Sequence, residues 1–248
     1  MDTFLLFLMV GLLAQAVDGA LGMAYGVISS SVLLAFGVPP ATASASVHAA
    51  EVFTTAASAG SHAWHRNVDW RLLAPLAVAG VIGGVVGAYV LTGIKGDVIK
   101  PFVVAYLAGI GAWILWRAGH APRPRRLPSW AMGPMGLIGG FLDAAGGGGW
   151  GPVVTSNLLV QGATPRTTIG TVNTVEFFLT ATVSAAFIAN LGWAAFTLQT
   201  VGILIGGLIA APFGGLLAKR VPTRALMTLV GVLLTITSAW SIYLALTH

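Results

Sequence analysis

The 248-residue chain is 56% hydrophobic and only 8% charged, with a mean hydropathy of +0.89. A soluble domain carries charge on about a quarter of its residues, so this composition excludes that class and indicates a polytopic membrane protein. The net charge of +5 comes from basic residues scattered through short connections, which argues against nucleic acid as a partner, and the absence of cysteine excludes disulfides and thiolate chemistry.

Apolar runs follow one another along the whole chain. They predict helices over residues 5–17, 27–36, 42–59, 72–91, 98–116, 130–142, 153–160, 167–189, 194–218 and 225–246. The first run, followed by Ala14-Gln15-Ala16, imitates a secretory signal peptide. Against that interpretation, the segment carries Asp2 and no basic residue, and the same element recurs at residues 130–142. We therefore expect one transmembrane domain over residues 1–248.

The chain contains an internal repeat. Residues 11–61 align without a gap with residues 136–186, an offset of 125 positions. Polar residues and turn formers match in register, among them Asp18/Asp143, Gly22/Gly147, Gly26/Gly151, Pro40/Pro165 and Glu51/Glu176. This pattern predicts a first repeat over 1–119, a linker over 120–129 and a second repeat over 130–248. Each repeat consists of two short helices separated by a glycine-rich break, followed by three long helices.

The predicted fold is an all-α integral membrane protein made of two inverted repeats. Short helices of roughly 10 to 16 residues reach only part-way across a bilayer, which takes about 20, so a broken-helix hairpin is favoured over two short spans. Either arrangement gives each repeat an odd number of crossings, which inverts the second repeat. The positive-inside rule then places the basic connections inside and both termini outside, with Lys95 and Lys100 as exceptions.

Inverted repeats with interrupted helices are typical of secondary transporters. The chain has no Walker A motif, no G-x-S-x-G and no H-E-x-x-H, so neither ATP hydrolysis nor another enzyme activity is expected. Two alternatives stay open. One is a cation- or proton-coupled carrier or channel that uses buried Asp and Glu side chains as ligands, and the other is a membrane scaffold that transports nothing.

The glycine breaks predict an anion site. The helix after each break begins with N–H groups that lack intrahelical partners, and the positive end of its dipole points into the break. The predicted substrate-binding residues are Gly22, Tyr25, Gly26, Ser29, Ser30, Gly147, Gly148, Gly149, Trp150, Thr155, Ser156, Asn157 and Asn173, with Tyr25 and Trp150 as aromatic walls. The alternative is that the glycines allow close packing and the hydroxyls bond to the preceding turn.

The ionisable residues of the apolar runs are candidates for proton coupling or gating, namely Asp18, His48, Glu51, Asp143 and Glu176. An aspartate at a helix C-terminus is protonated, bound to a cation or hydrogen-bonded to the N–H groups beyond the break, and we favour the last for both aspartates. His48 and Glu51 share a helix face, which suits a proton relay or interhelical hydrogen bonds. Two ligands without a third are a weak metal signal, so no metal or cofactor is expected.

The unequal repeats carry a further hypothesis. His48 aligns with Asn173, so one repeat is predicted to carry a titrating group where the other has a neutral amide.

The motifs "DGALGMAYG" and "GVPPATASASVHAAEV", with "GGGGWGP" and "GTVNTVEF" in the second repeat, resemble the sulfite exporter TauE/SafE family of bacterial membrane proteins. The resemblance covers almost the whole chain. It implies a secondary carrier that moves sulfite, sulfoacetate or other organosulfonates, usually outward across the cytoplasmic membrane. The partners expected are therefore a small anion and the lipid bilayer, and a homo-oligomer is compatible with them.

Overall fold

A computed structural model describes residues 2–120, 128–160, 165–213 and 221–247, which form a bundle of helices. The helices are α1 (Asp2–Leu21), α2 (Tyr25–Ala35), α3 (Pro40–Trp64), α4 (Trp70–Gly93), α5 (Gly96–Ala118), α6 (Met132–Gly146), α7 (Ser156–Val160), α8 (Pro165–Leu191), α9 (Leu198–Ala210) and α10 (Thr223–Thr247). A π-helical segment, Trp150–Thr155, leads directly into α7. These described residues contain no strand, which confirms the all-α class.

Both predicted breaks are present, and positive backbone angles produce them. After α1, Gly22 has a φ of 67°, and after α6, Gly147 and Gly148 have φ angles of 75° and 141°. Glycine adopts this region without the steric cost of a Cβ atom, so it ends a helix and turns the chain. Ala24 also has a positive φ, of 120°, where the second repeat has Gly149.

The helix lengths separate spanning from short elements. Among the residues that the structure describes, five helices are long and apolar enough to cross a membrane, namely α1, α4, α5, α8 and α10. Helix α1 has 20 residues, more than predicted, because the chain stays helical from Asp18 to Leu21. Helices α2 and α6 have 11 and 15 residues and are short, as predicted. Helix α3 has 25 residues but is not apolar enough to be counted among these candidate spans, because polar side chains follow one of its faces.

The repeats exchange their packing partners. Helix α1 packs along α9 and α6 packs along α4, so the first helix of each repeat contacts the fourth helix of the other. Helix α3 packs on α8 and α5 packs on α10, which pairs equivalent helices. The equivalent hydroxyls of Thr55 and Thr180 lie 3.4 Å apart. A two-fold relation between the repeats produces this pattern, and the inverted orientation stays a prediction from the odd number of crossings.

The exchanged helices cross at glycines. A Cβ atom added to Gly83 on α4 would collide with the carbonyl oxygen of Leu137 on α6, and one added to Gly206 on α9 would collide with that of Leu8 on α1. Lipid supplies no hydrophobic drive between helices, so close backbone approach through small residues provides the packing energy.

We expect Gly83→Leu to destabilise the bundle, because the new side chain overlaps the α6 backbone and overpacking costs about 1–3 kcal/mol or more. Thermal unfolding in detergent should show a melting temperature lowered by several degrees. Gly109→Leu is the matched control, since a Cβ atom at Gly109 on α5 has no neighbour within 4 Å. Equal melting temperatures for the two variants would contradict the packing assignment.

Candidate functional site

The two helix breaks pack directly against each other. A Cβ atom added to Gly26 would lie 3.0 Å from Cα of Gly148, and one added to Gly151 would lie 2.8 Å from Cα of Met23. Gly26 and Gly151 are equivalent positions of the repeats, as are Met23 and Gly148, so the same contact is made twice. The glycines at these positions therefore allow the two backbones to meet.

Each break is held by the aspartate that precedes it. Oδ1 of Asp143 accepts hydrogen bonds from the N–H groups of Gly149 at 2.8 Å and Trp150 at 3.0 Å. Oδ1 of Asp18 accepts one from the N–H group of Tyr25 at 3.2 Å. The hydrogen bonds expected of both aspartates are thus present. The same N–H groups were predicted to bind an anion, and in this conformation carboxyl groups of the chain itself occupy them.

His48 joins α3 to the second break. Its Nδ1 atom lies 2.8 Å from the carbonyl oxygen of Ser44, and its Nε2 atom lies 3.2 Å from Oδ2 of Asp143. A carbonyl oxygen only accepts, so Nδ1 carries the proton and Nε2 directs a lone pair at the carboxyl group when the ring is neutral. A proton or another cation must therefore lie between Nε2 and Oδ2. The side chain of His48 is 1% exposed.

A polar chamber of about 10 Å³ lies between the breaks. This volume is about that of one water molecule. Four carboxyl side chains line it, those of Asp18, Glu51, Asp143 and Glu176. Glu51 is 4% exposed, and no hydrogen bond to its carboxyl group is present among the described residues. The predicted coupling or gating residues therefore converge on one point.

A larger cavity of about 600 Å³ lies next to this chamber. It lies between the end of α1, the polar face of α3, the start of α8 and the turn after α9. Its polar lining consists of Gln15, Asp18, Thr54, Thr55, Ser58, Ser61, His62, Asn173 and Glu176. Asp18 and Glu176 line both spaces, so the cavity adjoins the region of the breaks. Small-molecule sites measure about 300–1,000 Å³, a range that includes this cavity.

Six predicted substrate residues lie at these two spaces. Gly22 and Asn173 line the cavity, and Tyr25, Gly26, Gly148 and Gly149 line the chamber. The amide of Asn173 donates to Oγ of Ser58 at 2.8 Å. The hydroxyl group of Tyr25 points away from the chamber and donates to the carbonyl oxygen of Ile203 on α9 at 3.1 Å.

Other predicted residues face elsewhere. The ring of Trp150 is fully buried against Gly80 of α4, with Nε1 donating to the carbonyl oxygen of Val172, so it packs helices together and does not line the chamber. Asn157 is exposed, and its amide donates to the carbonyl oxygen of Val153. The remaining predicted positions, Ser29, Ser30, Gly147, Thr155 and Ser156, lie buried beside the breaks and outside the lining of both spaces.

Three polar residues near the breaks were not predicted as part of the site. The hydroxyl group of Tyr106 on α5 donates to the carbonyl oxygen of Gly148 at 3.0 Å, Gln15 lines the cavity, and Arg117 donates to the carbonyl oxygen of Ser156 at 3.1 Å. Tyr106 and Gln15 each interrupt an apolar run, and that interruption is the signal that could have identified them.

Two broken helices that meet beside a cavity with polar side chains, within a bundle of helices long enough to span a membrane, are typical of a multi-pass membrane transporter. The model of the sulfite exporter TauE/SafE family matches residues 7–241 of the chain. The chain therefore belongs to this family.

A curated relative supports the same class. The probable membrane transporter protein YtnM of Bacillus subtilis (strain 168) is 42% identical over 251 aligned residues, which cover 96% of this chain and 82% of the relative. No solved structure matches the chain.

We expect Asp143→Ala to destabilise the fold, because it leaves the N–H groups of Gly149 and Trp150 buried without an acceptor. Two such groups cost about 2–6 kcal/mol, whereas Asp143→Asn keeps an acceptor oxygen and should cost less. Asp69→Ala is the control, since Asp69 caps α4 in the same way at an exposed position, where loss of a cap costs about 0.5–2 kcal/mol. Denaturation in detergent measures the three variants, and an equal loss for both alanine variants would contradict the assignment.

Proposed function

We propose that the chain is a secondary carrier that exports a small sulfur oxyanion, sulfite or an organosulfonate such as sulfoacetate, across the bacterial cytoplasmic membrane. Family membership and the curated relative support transport. The observation that carries the proposal is the polar cavity of about 600 Å³ that ends at the two facing breaks. Its volume and its hydrogen-bonding side chains suit a small hydrophilic solute.

The first contacts of the oxyanion are neutral hydrogen-bond donors. The cavity offers the hydroxyl groups of Ser58 and Ser61 and the amide of Asn173. Such donors bind oxyanion oxygens without the permanent charge that would hold an anion too tightly to release it.

The carboxyl groups of Asp18 and Asp143 act as gates in this proposal. Each carboxyl group accepts hydrogen bonds from N–H groups at the start of the next helix. The same N–H groups can donate to an oxygen of the oxyanion instead. The oxyanion reaches these donors only when the carboxyl group swings away, so binding and release are tied to movement at the breaks. The two halves then rock around the shared site, as in other inverted-repeat carriers.

The position of the cavity supports loading from the cytoplasm. It lies at the end of α3 that carries His62, close to Arg66 and Arg71, which the positive-inside rule assigns to the inner face. In this proposal the conformation is the inward-open one, the state in which an exporter takes up its substrate.

A cation-coupled carrier is the second candidate function. The four carboxyl groups around the chamber support it, because oxygen ligands in a small buried space suit a cation.

Reconstitution in proteoliposomes tests the transported species. Vesicles preloaded with unlabelled sulfite or sulfoacetate should take up the labelled anion by exchange, and empty vesicles should not. Exchange of cations alone, with no oxyanion exchanged, would overturn the proposal in favour of the second candidate.

A pair of variants on α3 tests the route in the same assay. Ser58→Phe fills the cavity and should lower the exchange rate at least about tenfold, a barrier change of about 1.4 kcal/mol. Gly60→Phe is the matched control two residues away, where a Cβ atom has no neighbour within 4 Å. Equal rates for the two variants would show that substrate does not pass through the cavity.

Cysteine labelling tests the orientation, since the chain contains no cysteine of its own. A membrane-impermeant maleimide should label Thr247→Cys in intact cells and should label His65→Cys, at the exposed end of α3, only after permeabilisation. The reverse pattern would contradict the assignment of both termini to the outer side.

A further inference from the structure

Three buried electron-pair donors converge between the repeats. Ligand atoms of His48, Glu51 and Asp143 all lie within 4.8 Å of one another. His48 and Glu51 come from α3 of the first repeat, three residues apart, and Asp143 comes from α6 of the second repeat. The cluster therefore joins the two halves of the molecule at the point where their breaks meet.

One proton does not satisfy this cluster. With Nδ1 of His48 donating to Ser44, the atoms Nε2 of His48 and Oδ2 of Asp143 are acceptors, and so are both carboxyl oxygens of Glu51 when that group is ionised. A shared proton joins two of these groups and leaves the third without a partner. Glu51 is the third, because this residue is only 4% exposed and its carboxyl group makes no hydrogen bond with the described residues. Burying such a group without a partner is costly.

We propose that His48, Glu51 and Asp143 bind one divalent transition-metal cation of the Zn²⁺ or Mn²⁺ class. Metal–ligand distances of about 2.0–2.2 Å place two ligand atoms of one ion at most about 4.4 Å apart. The ligand atoms of this cluster lie within 4.8 Å of one another, so a small movement of the side chains brings them to one cation. One imidazole nitrogen and two carboxylates form a donor set that favours such cations over Na⁺ or Mg²⁺.

The surroundings of the three ligands fit a metal site. A histidine that binds a metal usually donates its other ring N–H to a carbonyl or carboxylate, and Nδ1 of His48 donates to the carbonyl oxygen of Ser44. Oδ1 of Asp143 accepts hydrogen bonds from the N–H groups of Gly149 and Trp150. These bonds orient Oδ2 of the same carboxyl group towards His48. In this conformation, before any movement at the break, these contacts fix the imidazole tautomer and the carboxyl rotamer.

The cation explains how an oxyanion approaches four carboxyl groups. Glu51 and Asp143 also line the chamber, so a cation held by them lies at its wall. The bound cation offsets two carboxylate charges and offers positive charge to an oxyanion oxygen. This role rests on the proposed transport of an oxyanion, whereas the metal site itself does not.

Metal binding by the purified full chain tests the site. After treatment with a chelator, calorimetric titration with Zn²⁺ or Mn²⁺ should show one equivalent bound per chain. Glu51→Gln and His48→Asn should each raise Kd at least about tenfold, the lower end of what changes around a metal site cost. Absence of saturable binding to the wild type, or unchanged Kd in both variants, would overturn the proposal.

Two controls match these variants. His65→Asn removes an exposed histidine whose Nδ1 atom bonds the carbonyl oxygen four residues earlier, at 2.8 Å, as that of His48 does. Asp69→Asn removes an exposed carboxylate that accepts two N–H groups. Both should bind the cation with the wild-type Kd, and weakened binding in either would place the metal at the surface.

X-ray absorption of the zinc-loaded wild type needs no variant and remains informative if a variant does not fold. The spectrum should show one imidazole among oxygen ligands. Two or more imidazoles would assign zinc to other histidines of the five in the chain and overturn the site.

Sulfite binding to chelator-treated and metal-loaded protein separates this inference from the proposed function. We expect binding at least tenfold stronger with the metal. Equal sulfite binding in both preparations would overturn the role of the cation and leave oxyanion transport standing. Metal binding without any binding of sulfite or sulfonates would overturn the proposed substrate and leave the metal site standing.

Discussion

The hydrogen bonds from the helix start to the preceding aspartate are the interactions on which the rest of the structure depends. A helix that begins inside an apolar bundle has N–H groups at its start without intrahelical acceptors. Neither lipid nor the apolar face of a neighbouring helix can accept hydrogen bonds from them. The carboxyl groups of Asp18 and Asp143 accept them, so the chain can break twice at buried positions. Only because the breaks are stable can they be brought together, with glycine backbones in contact across the interface.

The same contacts create a chemical tension at the centre of the molecule. N–H groups at a helix start favour an anion, yet the chamber between the breaks is surrounded by four carboxyl groups. An intramolecular carboxyl group already occupies each set of donors, so an external anion has to compete with it. A cation bound between His48, Glu51 and Asp143 neutralises part of the carboxylate charge around the chamber. The N–H groups of the second break then continue to hold and orient Asp143 as a ligand.

The repeat explains why so much of this centre could be predicted. Asp18 and Asp143, the glycines after them, and Glu51 and Glu176 recur in register 125 positions apart, and a polar residue repeated inside an apolar run has a reason to be there. Trp150 could not be placed in this way, because its direction is set by the π-helical turn and by the gap at Gly80, both of which arise from tertiary contacts. For the same reason Asn157, about two turns beyond Trp150, faces outward.

The sequence by itself determined the membrane class, the two breaks, the paired aspartates and the resemblance to the family, since composition, periodicity and the internal repeat are properties of the chain alone. Only the tertiary structure decided which faces meet. His48 and Asp143 are 95 residues apart, and helical periodicity places each on a face of its own helix without saying which helix lies opposite. The backbone packing of α3 and α6 around the breaks supplies that information. This packing adds Asp143 to His48 and Glu51 as a third possible metal ligand. It also forms the cavity beside the breaks.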